Sequence, residues 1–396
     1  MKNFRISLLG QVLIAIAAGI LLGQFLPIPL ARVFVTFNGL FGNFLNFAIP
    51  LIIIGLIIPA IADLGKGAGR LLLITALIAY GSTIFSGFFT YFTGEAIFPR
   101  LIAGSAQSAS AIDSSAAATL KPFFTVEMPA PFDIMTALLL SFCIGLGLSA
   151  IQGNTLRMAA SDLRDIISLL IEKVIIPLLP LHIFGIFLNM TLSGQVASII
   201  SVFVKIIVVI FVLHILLLLI QFSLAGLVAR KNPLRLLKNM LPAYATALGT
   251  QSSAATIPVT LAQTLKNGVS KNIATFVIPL CATIHLSGST MKITACAMAI
   301  IMMAGMPIHT LDFSGFILML GITMVAAPGV PGGAIMAALG ILESMLGFDE
   351  TAQALMIALY IAMDSFGTAC NVTGDGAIAV VVDRINGKSG HLMQRP

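Results

Sequence analysis

Residues 249–258 read GTQSSAATIP, and residues 327–333 read APGVPGG. Each cluster cuts an otherwise apolar segment, 233–265 in the first case and 314–347 in the second. Pro258, Pro328 and Pro331 remove backbone donors and the glycines favour turns, so neither segment is expected to continue as one helix. Irregular backbone at membrane depth is tolerated only where protein or a wet cavity surrounds it. Both segments therefore read as re-entrant helical hairpins whose tips meet inside the protein.

The membrane setting follows from composition. The chain has 396 residues, 58% hydrophobic and only 9% charged, more apolar surface than a soluble domain of that length can hide. The start, MKNFRISLLGQVLIAIAAGILLG, has the basic head of a signal peptide. Its apolar part is too long for one and lacks a small-residue cleavage site, so it reads as a first spanning helix. The net charge of +6 could suggest a nucleic-acid partner, but the basic residues lie in short loops, as membrane topology requires, and no nucleic-acid partner is expected. Cys143, Cys281, Cys296 and Cys370 fall in apolar segments without paired spacing, so neither a disulfide framework nor a metal knuckle is expected.

Apolar segments at 6–26, 33–62, 70–93, 133–152, 164–190, 195–229, 270–304 and 350–383 read as eight spans. With the N-terminus inside and each hairpin counted as no crossing, fifteen Lys and Arg residues fall on the cytoplasmic side. Only Arg32, Arg100 and Lys121 fall outside. That bias fixes the orientation, with both termini cytoplasmic. It also makes the first hairpin enter from the cytoplasm and the second from outside. A hairpin followed by a span thus occurs twice in opposite senses, the pattern of inverted repeats with a site at their midplane interface. The expected fold is all-α, eight transmembrane helices plus two re-entrant hairpins, and it points to a secondary transporter. The polar stretch 104–132 is expected to be a flexible external linker.

Two polar clusters sit inside spans. Asp364, Thr368, Asn371 and Asp375 are spaced i, i+4, i+7 and i+11 and share one helical face over about 16 Å. A charged residue at a span centre costs about 2.5–3.5 kcal/mol, so such groups face inward and are paired. The plain reading is polar glue between helices. The functional one is a hard-oxygen cage for a small cation such as sodium, or a carboxylate that holds an ammonium group. The seventh span carries CATIHLSGSTMKIT (281–294), where His285, Ser289 and Lys292 would share a face and Ser-Gly-Ser invites unwinding. His285 could be a packed, hydrogen-bonded histidine. Lys292 either snorkels outward or needs an anion, from the last span or from a substrate. Glu172, Lys173, Lys205, His182, His214 and Glu343 are assigned no role. Enzyme motifs fail: GKS at 387–389 has the tail of a phosphate loop, but Val382 stands where its first glycine should be, and no nucleophile–base pair has workable spacing.

The region from about 233 to 386 resembles the glutamate-transporter family, the dicarboxylate/amino acid:cation symporters, and in its last span is nearest to the serine/threonine sodium symporters. The family's first hairpin tip reads like TRSSSGTLPVT, here TQSSAATIPVT (250–260); its seventh span carries PLGATINMDGT, here PLCATIHLSGS (279–289). Its second hairpin has AGVPGAGAIM, here PGVPGGAIM (328–336), one residue shorter; its last span has DMGRTMVNVTGD, here DSFGTACNVTGD (364–375). The resemblance implies that Asp364 holds a substrate amino group and that Thr368 and Asn371 meet the amino acid's backbone end. Ser252, Ser253, Val330 and Gly332 would approach from the hairpin tips, with Ser289, Lys292 and Gly367 beside them. Asp375 and Asn371, with carbonyls of Cys281 and His285, would hold one sodium ion. Carbonyls near Thr283 and Ala327 would hold a second, although the shortened hairpin alters that site. The resemblance also implies a homotrimer in a cell membrane. Residues 1–232 would be mainly scaffold, with spans 3 and 6 moving with a transport core at 233–386, and 387–396 would be a cytoplasmic tail.

The departures bear on substrate. The arginine that receives an acidic side chain is Gly367 here, and the hairpin arginine that can replace it is Gln251. A small neutral amino acid such as serine, threonine or alanine is therefore expected. The alternative is an acidic amino acid or dicarboxylate that uses Lys292. The family's aspartate in NMDGT is Ser287 and its asparagine is His285, so a further sodium site loses its carboxylate, and a proton on His285 could take its part. An anion-conducting channel is the competing class; no enzyme activity is expected.

Overall fold

The computed structural model describes residues 7–65, 70–102, 120–194, 196–327 and 331–392; among these every element is helical. In chain order they are α1 (Leu8–Gly23), α2 (Ile28–Gly65), α3 (Arg70–Ile102), α4 (Ile134–Ala150), α5 (Thr155–Leu170), α6 (Ile176–Leu192) and α7 (Val196–Ala229). There follow α8 (Pro233–Thr250), α9 (Ser253–Lys266), α10 (Lys271–Ile284), α11 (Ser287–Met303), α12 (Thr310–Ala326), α13 (Gly333–Leu346), α14 (Glu350–Ala362) and α15 (Asp364–Leu392). A π turn at Ile171–Ile175 joins α5 to α6, just ahead of Pro177, which has no N–H to return to Lys173.

Both hairpins form, α8–α9 and α12–α13, each ahead of a broken span, α10–α11 and α14–α15. The first tip turns at Gln251, which takes a left-handed conformation (φ 53°), and Ser252 caps α9 by accepting from the Ala255 N–H. Pro258 is not part of the break; it lies inside α9. The second tip ends at Gly332, also left-handed (φ 75°), while Pro328, Gly329 and Val330 lie outside the described residues.

Two breaks fall elsewhere than expected. The seventh span opens at His285 and Leu286, ahead of Ser-Gly-Ser, which instead begins α11. His285 therefore does not share a helical face with Ser289 and Lys292. The last span, expected as one helix, breaks at Met363 and places Asp364 at the start of α15. The linker is corrected too. From residue 120 it lies along α2, where Arg32 donates to the carbonyls of Lys121 and Pro122 (2.7 and 3.3 Å) and Asn43 to that of Val126 (2.7 Å). Residues 103–119 are outside the described set.

Among the described residues six helical stretches are long and apolar enough to cross a membrane: Ile28–Ala62, Arg70–Ile102, Thr155–Leu192, Ile199–Ala229, Lys271–Met303 and Asp364–Asn386. The shorter apolar helices α1 and α4, of 16 and 17 residues, lie where the other two spans are expected. Outer helices expose large apolar side chains such as Leu77, Leu146, Val208 and Ile215, as lipid-facing helices do. The interior is built by α11, α13, α14 and α15. Of the 17 residues of α11 only Met302 is not buried, the mark of a central helix. It lies against α3 and α15, and α7 lies along α8 and α15, so α3 and α7 pack on the core with the hairpins.

Candidate functional site

Breaking the last span at Met363 turns the first residues of α15 into a helix N-terminus, where a carboxylate meets the positive end of the dipole. Asp364 is satisfied there from two sides. Its Oδ1 accepts from Lys292 Nζ at 3.2 Å and its Oδ2 from the backbone N–H of Gly332, at the second hairpin tip, at 2.9 Å. Lys292 has 0% exposure and Asp364 4%, so the pair is withdrawn from solvent and its attraction is little screened. Lys292 also lies over the Tyr360 ring, 3.7 Å from its centroid, and donates to Met363 O at 3.4 Å. The lysine stem fills the space above Gly367: a Cβ there would collide with Lys292 Cε and Nζ.

The first hairpin reaches the same turn, because Gln251 Nε2 donates to Ser365 Oγ at 2.8 Å. Both tips are thus tied to consecutive residues, Asp364 and Ser365. About two helical turns on, Asn371 Oδ1 accepts from the N–H groups of Gly288 (2.7 Å) and Ser289 (3.4 Å), and its Nδ2 donates to Ser289 Oγ (3.1 Å). The amide thereby satisfies donors at the start of α11 that have no intrahelical partner. Ser289 Oγ in turn meets Tyr360 OH at 2.9 Å. The close approach depends on Gly288, whose missing Cβ would stand 2.7 Å from Gly367 O.

Asp375 also has a partner from within the chain. Its Oδ1 is 2.9 Å from His285 Nδ1, and the other ring nitrogen, Nε2, is 3.1 Å from Ser82 Oγ on α3. Gln221 on α7 donates to Ser82 Oγ and Ser287 Oγ. A hydroxyl–imidazole–carboxylate chain therefore exists, contrary to the expectation of no such pairing. It is assembled from three distant spans, invisible to spacing, and Ser82 does not line the cavity beside Asp364. Asp364 and Asp375 thus each have a partner within the chain, Lys292 and His285, besides the substrate ammonium and the sodium ion that the resemblance implies.

A cavity of about 30 Å³ lies between the tips, lined by Gln251, Ser253, Thr283, Leu286, Ser289, Ala327, Tyr360, Asp364 and Thr368, among others. Ser253, Thr283, Ser289, Ala327, Asp364 and Thr368 were named from sequence. Lys292, Gly332, Gly367 and Asn371 stand behind that wall; Ser252 caps α9, and Val330 lies outside the described residues. As to a sodium site, the Cys281 carbonyl accepts the His285 N–H and Asn371 Oδ1 faces α11. For Asp375 to coordinate an ion with these oxygens, the imidazole and the amide must turn. Among the described residues no cluster of three or more His, Cys, Asp or Glu side chains could hold a metal.

Sequence reading missed Tyr360, Ser82 and Gln221. Tyr360 had a signal: it precedes Asp364 by one helical turn. Ser82 and Gln221 had only their polarity inside apolar spans. The unassigned residues are accounted for by packing: His182 meets Asn38, His214 the Gly288 carbonyl, Lys205 the Leu101 carbonyl, Lys173 pairs with Glu172, and Glu343 accepts from Gln353.

The profile of the sodium:dicarboxylate symporter family matches residues 8–385. The chain belongs to that family. Relatives include excitatory amino acid transporter 5 of Mus musculus, 35% identical over 164 residues, and neutral amino acid transporter B(0) of Rattus norvegicus, 32% over 163. Excitatory amino acid transporter 1 of Rattus norvegicus is 36% identical over 165 residues. Each match covers 40% of this chain, but only 28%, 29% and 30% of the respective relative, so the matched part is under a third of their length. The all-α architecture with several long apolar helices is that of a multi-pass membrane protein.

Proposed function

We propose that this chain is a sodium-coupled symporter of small neutral amino acids, serine, threonine or alanine, working by elevator-type alternating access. The observation that supports it most is the convergence of both hairpin tips on Asp364 and Ser365, beside a buried ion pair. A neutral amino acid is a zwitterion. Its ammonium can take Lys292's place at Asp364 while its carboxylate engages the released lysine, and charge is balanced without a further cation. Thr368 and Asn371 are assigned to the backbone end of the substrate, and Ser252, Ser253, Val330 and Gly332 to the tips that close over it. The family's name and the transporter relatives support the reading.

Sodium is the co-substrate assigned to Asp375 and Asn371 with carbonyls of Cys281 and His285, and a second ion to carbonyls near Thr283 and Ala327. The imidazole beside Asp375 is where a proton could replace one ion. Sodium-driven uptake that is the same at every pH, with His285→Asn harmless, would remove that role. The reading places α8 to α15 in a moving core accompanied by α3 and α7, the remaining helices in a trimeric scaffold, and both termini on the cytoplasmic face of a cell membrane.

One observation favours a second reading, an acidic amino acid or dicarboxylate. Lys292 packs against Gly367, where the family motif that this span resembles has an arginine, so a buried cation is still present. Relatives named for excitatory and for neutral amino acids match at similar identity, which leaves the choice to experiment. Thermal stabilisation of the purified protein in sodium, across neutral and acidic amino acids and dicarboxylates, decides it. Stabilisation by acidic ligands alone, lost in Lys292→Ala, would establish the second reading.

A further inference from the structure

We propose that Lys292 is a tethered counter-cation: it neutralises Asp364 during the return crossing without substrate, so that net uptake needs no cation carried back. The proposal rests on the symport reading above and adds the half of the cycle on which that reading is silent. A carboxylate that receives a substrate ammonium has a problem once the substrate leaves. Burying it bare is costly, because a charge without a partner loses its hydration and gains nothing in exchange. A carrier with such a group can return only with another ammonium, a cation from solution or a partner of its own.

The geometry supplies the third solution completely. Oδ1 of Asp364 has the Lys292 ammonium at 3.2 Å, and Oδ2 has the Gly332 N–H at 2.9 Å, so the tip of the second hairpin is latched onto the neutralised carboxylate. The remaining space beside it is about 30 Å³, room for water and not for an amino acid. Lys292 has a second seat as well. The Tyr360 face at 3.7 Å and the Met363 carbonyl at 3.4 Å can retain the ammonium when a substrate amine takes Asp364. Gly367 makes the exchange possible, since a side chain there would occupy the lysine's path.

The test separates net uptake from exchange in liposomes containing the purified full chain, with L-serine and L-aspartate as probes and a sodium gradient imposed. In the wild type, net uptake is expected to be the same whether the vesicles contain potassium or choline. A requirement for internal potassium would overturn the proposal, and this arm needs no variant to fold. In Lys292→Met, net uptake is expected to fall about tenfold or more relative to exchange of internal for external amino acid, both measured at saturating substrate. Internal methylammonium, which can occupy the lysine's place, should restore part of the net uptake. Net uptake and exchange lost in equal proportion, or neither affected, would overturn the proposal while leaving symport intact. Wild-type vesicles that accumulate neither probe would overturn both readings together.

Discussion

At Gly367 one added carbon changes the site. Its Cβ would collide with the end of Lys292, so Gly367→Ala must push the ammonium away from Asp364 or shift α15. Overpacking of this kind costs about 1–3 kcal/mol, and thermal unfolding in detergent should show Gly367→Ala melting below the wild type. The ion pair gives a sharper expectation. Removing one partner strands a buried charge and costs about 3–5 kcal/mol, whereas removing both leaves none stranded. The double variant Lys292→Met with Asp364→Asn should therefore melt above Lys292→Met alone; additive losses would show that the two groups do not depend on each other. These residues were legible in part. The polar stripe on α15 and the buried lysine are visible as charges in apolar spans. An anion of the last span was one of the readings for Lys292, but which aspartate answers it, and that His285 answers Asp375, was not legible, because the partners stand 72 and 90 positions apart and no local pattern links them.

Among the elements, the hairpins were legible because proline, glycine and serine clusters have a direct physical consequence for the backbone. Their detail was less so. Pro258 was absorbed into α9, and the turn fell on Gln251, which no glycine rule would choose. The break at Met363 has neither glycine nor proline to announce it; it places Asp364 at a helix start, where its charge is stabilised. The Gln251–Ser365 bond ties the first hairpin to α15 and contributes about 0.5–1.5 kcal/mol. Gln251→Ala should loosen that tip. With Cys143, the exposed cysteine among the described residues, replaced by Ala, a cysteine substituted for Ser252 should react faster with a maleimide in the Gln251→Ala background. Equal rates in both backgrounds would show that the bond does not restrain the tip.

For the whole molecule, the distribution of basic residues and the two hairpin-plus-span units predict opposite membrane sides for particular loops. Cysteines substituted for Lys121 and Arg235, in a background lacking Cys143, should be labelled from outside and from the cytoplasm respectively in intact cells. The polar loop from residue 120 is held to α2 by Arg32 and Asn43, so that label reports on the scaffold as well. Chemical cross-linking of membranes should yield species up to a trimer. The central claim is coupled transport, and accumulation in liposomes measures it directly. With an inward sodium gradient, vesicles should concentrate serine, threonine or alanine above the external level and lose it when an ionophore collapses the gradient. Flux that stops at equal concentrations, or an anion current independent of sodium, would contradict the account.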